Sequence, residues 1–134
     1  MKTNENSYPD TLNFIKNKQL KESFVIPECL NFGMWIWYSV EDRLLFSNSF
    51  YAMTGLKQES FYDFKTFFEI VHGCDLLQFL NDIEELLNGA PSRWVNFRIV
   101  RPDMIVQEVN CFMESLKTEF GEVFDITGVC FKVN

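Results

Sequence analysis

The chain has 134 residues, a length that suits one domain able to bury a core of its own. Hydrophobic residues make up 47%, charged residues 23%, and there are 15 Phe, which excludes a disordered chain. The net charge of −7 argues against a nucleic-acid or anionic-membrane partner, and no apolar run approaches the ~20 residues of a membrane span.

The polar start MKTNENSYPD lacks the apolar stretch of a signal peptide, and residues 1–8 read as frayed. Ser7 and Pro9 mark a helix start. The helix runs through PDTLNFIKNKQLKESF with a weak stripe of Leu12, Ile15 and Leu20, and Pro27 ends it. Residues 1–30 are thus a tail and flanking helix, ahead of one domain over 31–134. FGMWIWYSV (32–40) reads as a strand and RLLFS (43–47) as its hairpin partner. Asn48 is placed to cap a short helix that closes at Gly55. ESFYDFKTFFEIVH (59–72) holds one or two helical turns packed by Phe61, Phe64, Phe67, Phe68 and Val71.

The clearest helix covers residues 74–88. Leu76, Leu77, Phe79, Leu80, Ile83, Leu86 and Leu87 follow helical spacing, Asp75 starts it, and Gly89 and Pro91 close it. Asp82, Glu84 and Glu85 are assigned to its solvated face. Three strands follow, at 93–101, 105–117 and 122–133. In the first, Val95, Phe97 and Ile99 alternate with Asn96 and Arg98; in the second, Val109, Cys111 and Met113 alternate with polar residues. The turn RPDM joins them, with Pro102 at its second position. The order predicts an α+β domain: one five-stranded antiparallel sheet with helices on one face.

Several short motifs within this order resemble a PAS domain. GMWIW (Gly33, Trp35, Trp37) is similar to the family's first strand in its G-x-W-x-W branch. VHGCD stands where that branch has Val-His-Pro-Asp-Asp; His72 and Asp75 match, Gly73 and Cys74 do not. FRIVRPD resembles its Phe-Arg hairpin, with Met104 in place of a Gly, and GEVFDITGV its last hairpin. The resemblance covers residues 30–133. It implies the sensory box of a bacterial signalling protein, coupled to an output such as a histidine kinase or a diguanylate cyclase. Counted from Gly121 and Gly128, the family's exit Asp-Ile-Thr falls on Lys132-Val133-Asn134. The DIT at 125–127 therefore lies too early, inside the strand, and Lys132 stands where the exit carboxylate belongs.

The chemistry-bearing residues are few. His72, the single His, lacks ligand-spaced partners and reads as a junction residue bonding nearby backbone, with Asp75 beside it. No glycine-rich phosphate loop exists. No catalytic residue, metal site or cofactor is expected. The four Cys (29, 74, 111, 130) have no C-x-x-C spacing and read as reduced thiols of a cytoplasmic protein. Cys74, at a helix start, is a redox-sensing candidate. Asn110-Cys111-Phe112 is similar to the photoactive motif of flavin light sensors. That motif sits on a helix, whereas Cys111 falls on a strand and the motif's Arg and Gln are missing, so flavin is not expected, nor haem.

In a PAS-like arrangement Phe67, Phe68, Phe79 and Ile83 on the helices cup Phe97, Ile99, Val109, Cys111, Met113, Ile126 and Gly128 on the sheet. That space is either a packed core or a pocket for a small apolar ligand. On the opposite sheet face Trp94, Val100, Phe112, Leu116 and Phe131 form an apolar patch, to be covered by the Leu12–Ile15–Leu20 helix or a second copy of the domain. The leading expectation is a sensory module that binds a ligand or partner and regulates an output domain. The rivals are a ligand-free dimerisation module and a small α+β pocket enzyme, the last needing buried ionisable residues that the inner face does not offer.

Overall fold

Period-two alternation builds the sheet of this computed structural model, which describes residues 32–58 and 61–133. Val95, Phe97 and Ile99 are buried along β3 (Arg93–Val100), and Val109, Cys111 and Met113 along β4 (Val106–Lys117). With β1 (Phe32–Tyr38), β2 (Arg43–Phe46) and β5 (Val123–Lys132) they form one antiparallel sheet in the order β2-β1-β5-β4-β3. The last strand thus enters the middle, pairing with β1 on one side and β4 on the other. The expected α+β architecture is present. The flanking helix, with Leu12, Ile15 and Leu20, and Cys29 lie outside the described residues. Among the described residues no helix is long and apolar enough to cross a membrane.

Between the two strand groups run α1 (Asn48–Thr54), α2 (Thr66–Ile70) and α3 (Gly73–Leu87). Ser47, not Asn48, caps α1. Ser47 still has extended backbone at the end of β2, and its Oγ accepts from Phe50 N at 3.3 Å and from Met34 N at 2.9 Å. Gly55 closes α1 at φ 77, its N–H donating to Tyr51 O at 2.8 Å.

Two expectations about helix faces need correction. Asp82 is buried, not solvated like Glu84 and Glu85. Positions 79, 82, 83 and 86 are spaced i, i+3, i+4 and i+7, so Asp82 shares the inward arc with Phe79, Ile83 and Leu86. Arg93 Nη1 meets its carboxylate at 2.9 Å and Gln78 Nε2 at 3.3 Å. Leu77 and Leu87, by contrast, are exposed, because the apolar run is wider than the face α3 buries. In α2, Phe67 and Ile70 are buried, while Phe68 is 50% exposed and Phe61, ahead of the helix, is exposed too. Successive helical residues are rotated by about 100°, so Phe67 and Phe68 cannot both face in.

Candidate functional site

The interior between helices and sheet is organised around Trp35, fully buried on β1. Its register partner on β5 is Gly128. A Cβ on Gly128 would lie 2.4 Å from Trp35 Cε2 and 2.5 Å from Nε1, so the indole rests directly on the glycine backbone. From Trp35 a chain of rings crosses the core. Trp35–Phe67 centroids are 4.9 Å apart, Phe67–Phe79 4.9 Å and Phe79–Phe97 5.0 Å.

Phe67, Phe79, Ile83, Phe97, Ile99, Val109, Cys111, Met113 and Ile126 all join this one buried cluster, with Gly128 under the indole. Phe68 does not line it. Trp35 was read from the sequence as a family marker and not as the centre of the core. An inward-facing Gly in mid-strand was the available signal that something large lies over it.

Cys111 on β4 and Cys130 on β5 are register partners, both fully buried and both free thiols. Burial pushes the Cys111 thiol well up; the Cys130 thiol beside it adds to the rise, and the Trp35 side chain opposes it. The buried Trp35 Nε1–H has the Cys111 sulfur beside it. Among the described residues no group of three His, Cys, Asp or Glu side chains is placed to hold a metal ion.

The junction before α3 is a compact polar clasp. His72 is the N-cap, its Nδ1 accepting from Cys74 N at 3.1 Å while its own N–H donates to Arg98 O at 2.9 Å. The Asp75 carboxylate accepts from Arg98 N, Nε and Nη2, each at 2.9 Å. The guanidinium holds the Asp75 carboxyl below its usual range. The clasp, with His72 and Asp75 in it, ties the start of α3 to edge strand β3. Arg98, their partner, was quoted in FRIVRPD without that role. Cys74 is exposed beside this junction.

The opposite sheet face carries a second cluster. Trp94 packs on Phe112 at 5.2 Å and on Phe131 at 5.9 Å, and Phe32 packs on Phe131 at 5.6 Å. Trp94 is 62% exposed. Leu116 is not part of an exposed patch: it is buried with Ile36, and Tyr38, Leu45 and Phe124 pack against the pair. Asp125, early in β5, is buried and accepts from Ser39 N at 3.0 Å. The DIT triplet is therefore interior to the strand.

The strand order, the helices on one face and the clasp at the start of α3 define a PAS-type α+β fold. A family model described as the PAS fold matches residues 43–130, and the chain belongs to that family. Its solved neighbours are sensory domains. One is a sensory box histidine kinase/response regulator from Burkholderia thailandensis, at 19% identity and TM-score 0.64, covering 86% of this chain and 82% of that one. A second is the N-terminal domain of a diguanylate cyclase with PAS/PAC sensor from Marinobacter aquaeolei, at 16% identity and TM-score 0.67, covering 75% and 94%. A third is a domain of a putative light and redox sensing histidine kinase from Haloarcula marismortui, at 15% identity and TM-score 0.67, covering 80% and 93%. No curated protein sequence matches the chain significantly.

Proposed function

We propose that this PAS domain is a cytoplasmic sensory module that regulates a diguanylate cyclase or histidine kinase output domain, and that it does so by docking on the outer face of its sheet. The observation that carries this reading is the Trp94–Phe112–Phe131–Phe32 strip, apolar and aromatic, with Trp94 62% exposed. A strip of that kind favours a second copy of the chain as occupant, making a homodimer. The flanking segment 1–30 either completes that interface or covers the strip in its place. The signal is then a shift between two packings of this face.

Occupation of the inner space by Trp35 and the ring chain supports a partner, in preference to a small apolar ligand, as the bound species. The domain is assigned no catalysis, and flavin and haem have no part in it. Cys111 stands on a strand beneath the rings, and His72 caps a helix. Asp82 and Asp125 are buried, but each is engaged in structural bonds.

Sedimentation velocity of the full chain, of Trp94→Glu and Phe131→Glu, and of a chain lacking residues 1–22 tests this. The expected result is a dimer weakened by the charge substitutions. Unchanged sedimentation and melting in all three variants would overturn it. Native mass spectrometry showing a stoichiometric organic ligand would instead restore the small-ligand reading.

A further inference from the structure

We infer that β3 is an open sheet edge that pairs with β3 of a second copy of this chain, antiparallel and about a two-fold axis at Val95. This rests on the homodimer reading above and says how the two copies sit. The starting point is where the backbone groups of β3 aim. Arg98 N donates to Asp75 Oδ2 at 2.9 Å and Arg98 O accepts from His72 N at 2.9 Å, so Arg98 faces away from β4. Its register partner agrees, since Glu108 O accepts from Val133 N at 2.9 Å, on the far side of β4. Backbone groups alternate in direction along an antiparallel strand. Asn96 and Trp94 therefore also turn their N–H and C=O groups away from β4, and no backbone bond among the described residues meets them there.

The other edge of the sheet is shut. Strand β2 has four residues, Leu44 N donates to Tyr62 O at 2.9 Å, and α1 follows at Asn48. Edge strands are ordinarily guarded by Lys, Pro, bulges or unpaired charge. Strand β3 contains no Lys or Pro and pairs with β4 in unbroken register. Its two arginines are both tied back to α3, Arg93 to Asp82 and Glu85 and Arg98 to Asp75, so neither sets a lone charge against an approaching strand.

The clasp fixes the register. With Arg98 closed, the open residues of β3 are Trp94 and Asn96. A two-fold pairing that satisfies both from β3 alone places Trp94 opposite Asn96 of the second copy and Asn96 opposite its Trp94. Each facing pair exchanges two bonds, so four form, and the contact is self-complementary. The side chains fit the same arrangement. Trp94 lies on the outer face and is 62% exposed. Diagonal neighbours across an antiparallel pair stand about 7–8 Å apart, within reach of aromatic rings. The two Trp94 rings then cover each other, and the aromatic strips of both copies join across one continuous sheet.

The test is amide hydrogen exchange, read residue by residue by NMR on the full chain at low and high concentration, with sedimentation velocity on the same samples. The Trp94 and Asn96 amides should slow at least ~10-fold as the dimer forms. The Arg98 amide, already bonded to Asp75, should be slow at both concentrations. Asn96→Pro removes an outward donor from each copy, two of the four bonds, without breaking a bond to β4. It should weaken dimerisation at least ~10-fold. Asn96→Ala loses the same side-chain bonds to Glu108 and Asn110 but keeps the N–H, and should dimerise within about 3-fold of the parent. Melting curves of both variants are recorded first, and the exchange result on the parent stands without them. A parent dimer that Trp94→Glu disrupts, but whose Trp94 and Asn96 amides exchange as fast as in the monomer, would overturn edge pairing and leave the homodimer reading intact. A chain that stays monomeric at NMR concentration would overturn both.

Discussion

Gly128→Ala is the sharpest test of how this core is filled. The added methyl would sit 2.4 to 2.5 Å from three atoms of the Trp35 indole, a distance no real contact adopts. The ring has little room to retreat, since Trp35 is fully buried and its edge packs on Phe67 at 4.9 Å. Overpacking of this kind costs about 1–3 kcal/mol. Displacing the ring also forfeits part of an aromatic contact worth about 0.5–1.5 kcal/mol, so the expected loss is about 2–4 kcal/mol. At about 3–4 °C per kcal/mol for a domain of intermediate size, Tm should fall by roughly 6–16 °C. Urea denaturation followed by far-UV circular dichroism measures the loss directly, with an unchanged m-value showing that the native state stays compact. Gly73→Ala is the internal control: its added Cβ meets nothing within 4 Å, so it should be neutral or slightly stabilising. In a Trp35→Phe background the ring no longer covers residue 128 as fully, and Gly128→Ala should cost under about 1 kcal/mol, a non-additivity expected of residues in contact. A loss below about 0.5 kcal/mol in the parent background, or strict additivity with Trp35→Phe, would refute the overlay of indole on glycine.

Met104 holds φ 72 in the β3–β4 turn, where PAS domains carry Gly. Met104→Asn, which tolerates that conformation, should stabilise by up to about 1 kcal/mol in the same urea assay. Asp75 has its carboxyl held low, chiefly by the Arg98 hydrogen bonds, so its contribution is fully present above its unfolded value near 3.8 and is lost as pH falls through the lower folded value. Asp75→Asn should therefore lower Tm at pH 7, and the gap to the parent should close below about pH 4; a gap that persists at pH 2 would show the loss to be steric. Glu114 has the opposite sign: burial raises its carboxyl, so the charged form penalises the fold above the raised value and the penalty vanishes on protonation. Glu114→Gln should raise Tm at pH 7 and match the parent in acid, and Tm measured across that range checks both ends.

How much of this was legible in the sequence depends on whether a pattern is local. Strand alternation placed Val95, Phe97, Ile99, Val109, Cys111 and Met113 on one face because a period of two needs no knowledge of partners. Helical spacing did the same for Phe79 and Ile83. The identical arithmetic applied to residue 82 would have placed Asp82 inward, but residue type outweighed position. The arrival of Arg93 from strand β3, with Gln78 one helical turn away, makes a buried carboxylate there tolerable. The facing of Cys111 and Cys130 depends on the same kind of non-local fact. Cys111 and Cys130 are ordinary inward residues on their own strands, and nothing near either one in the chain marks them as partners. They meet because β5 enters the sheet between β1 and β4, and that same strand order lays Trp35 over Gly128. A motif scan searches along the chain, and for that reason it does not bring these two residues together. The chemistry of this core lies across the ladder, where register and the identity of facing residues decide it.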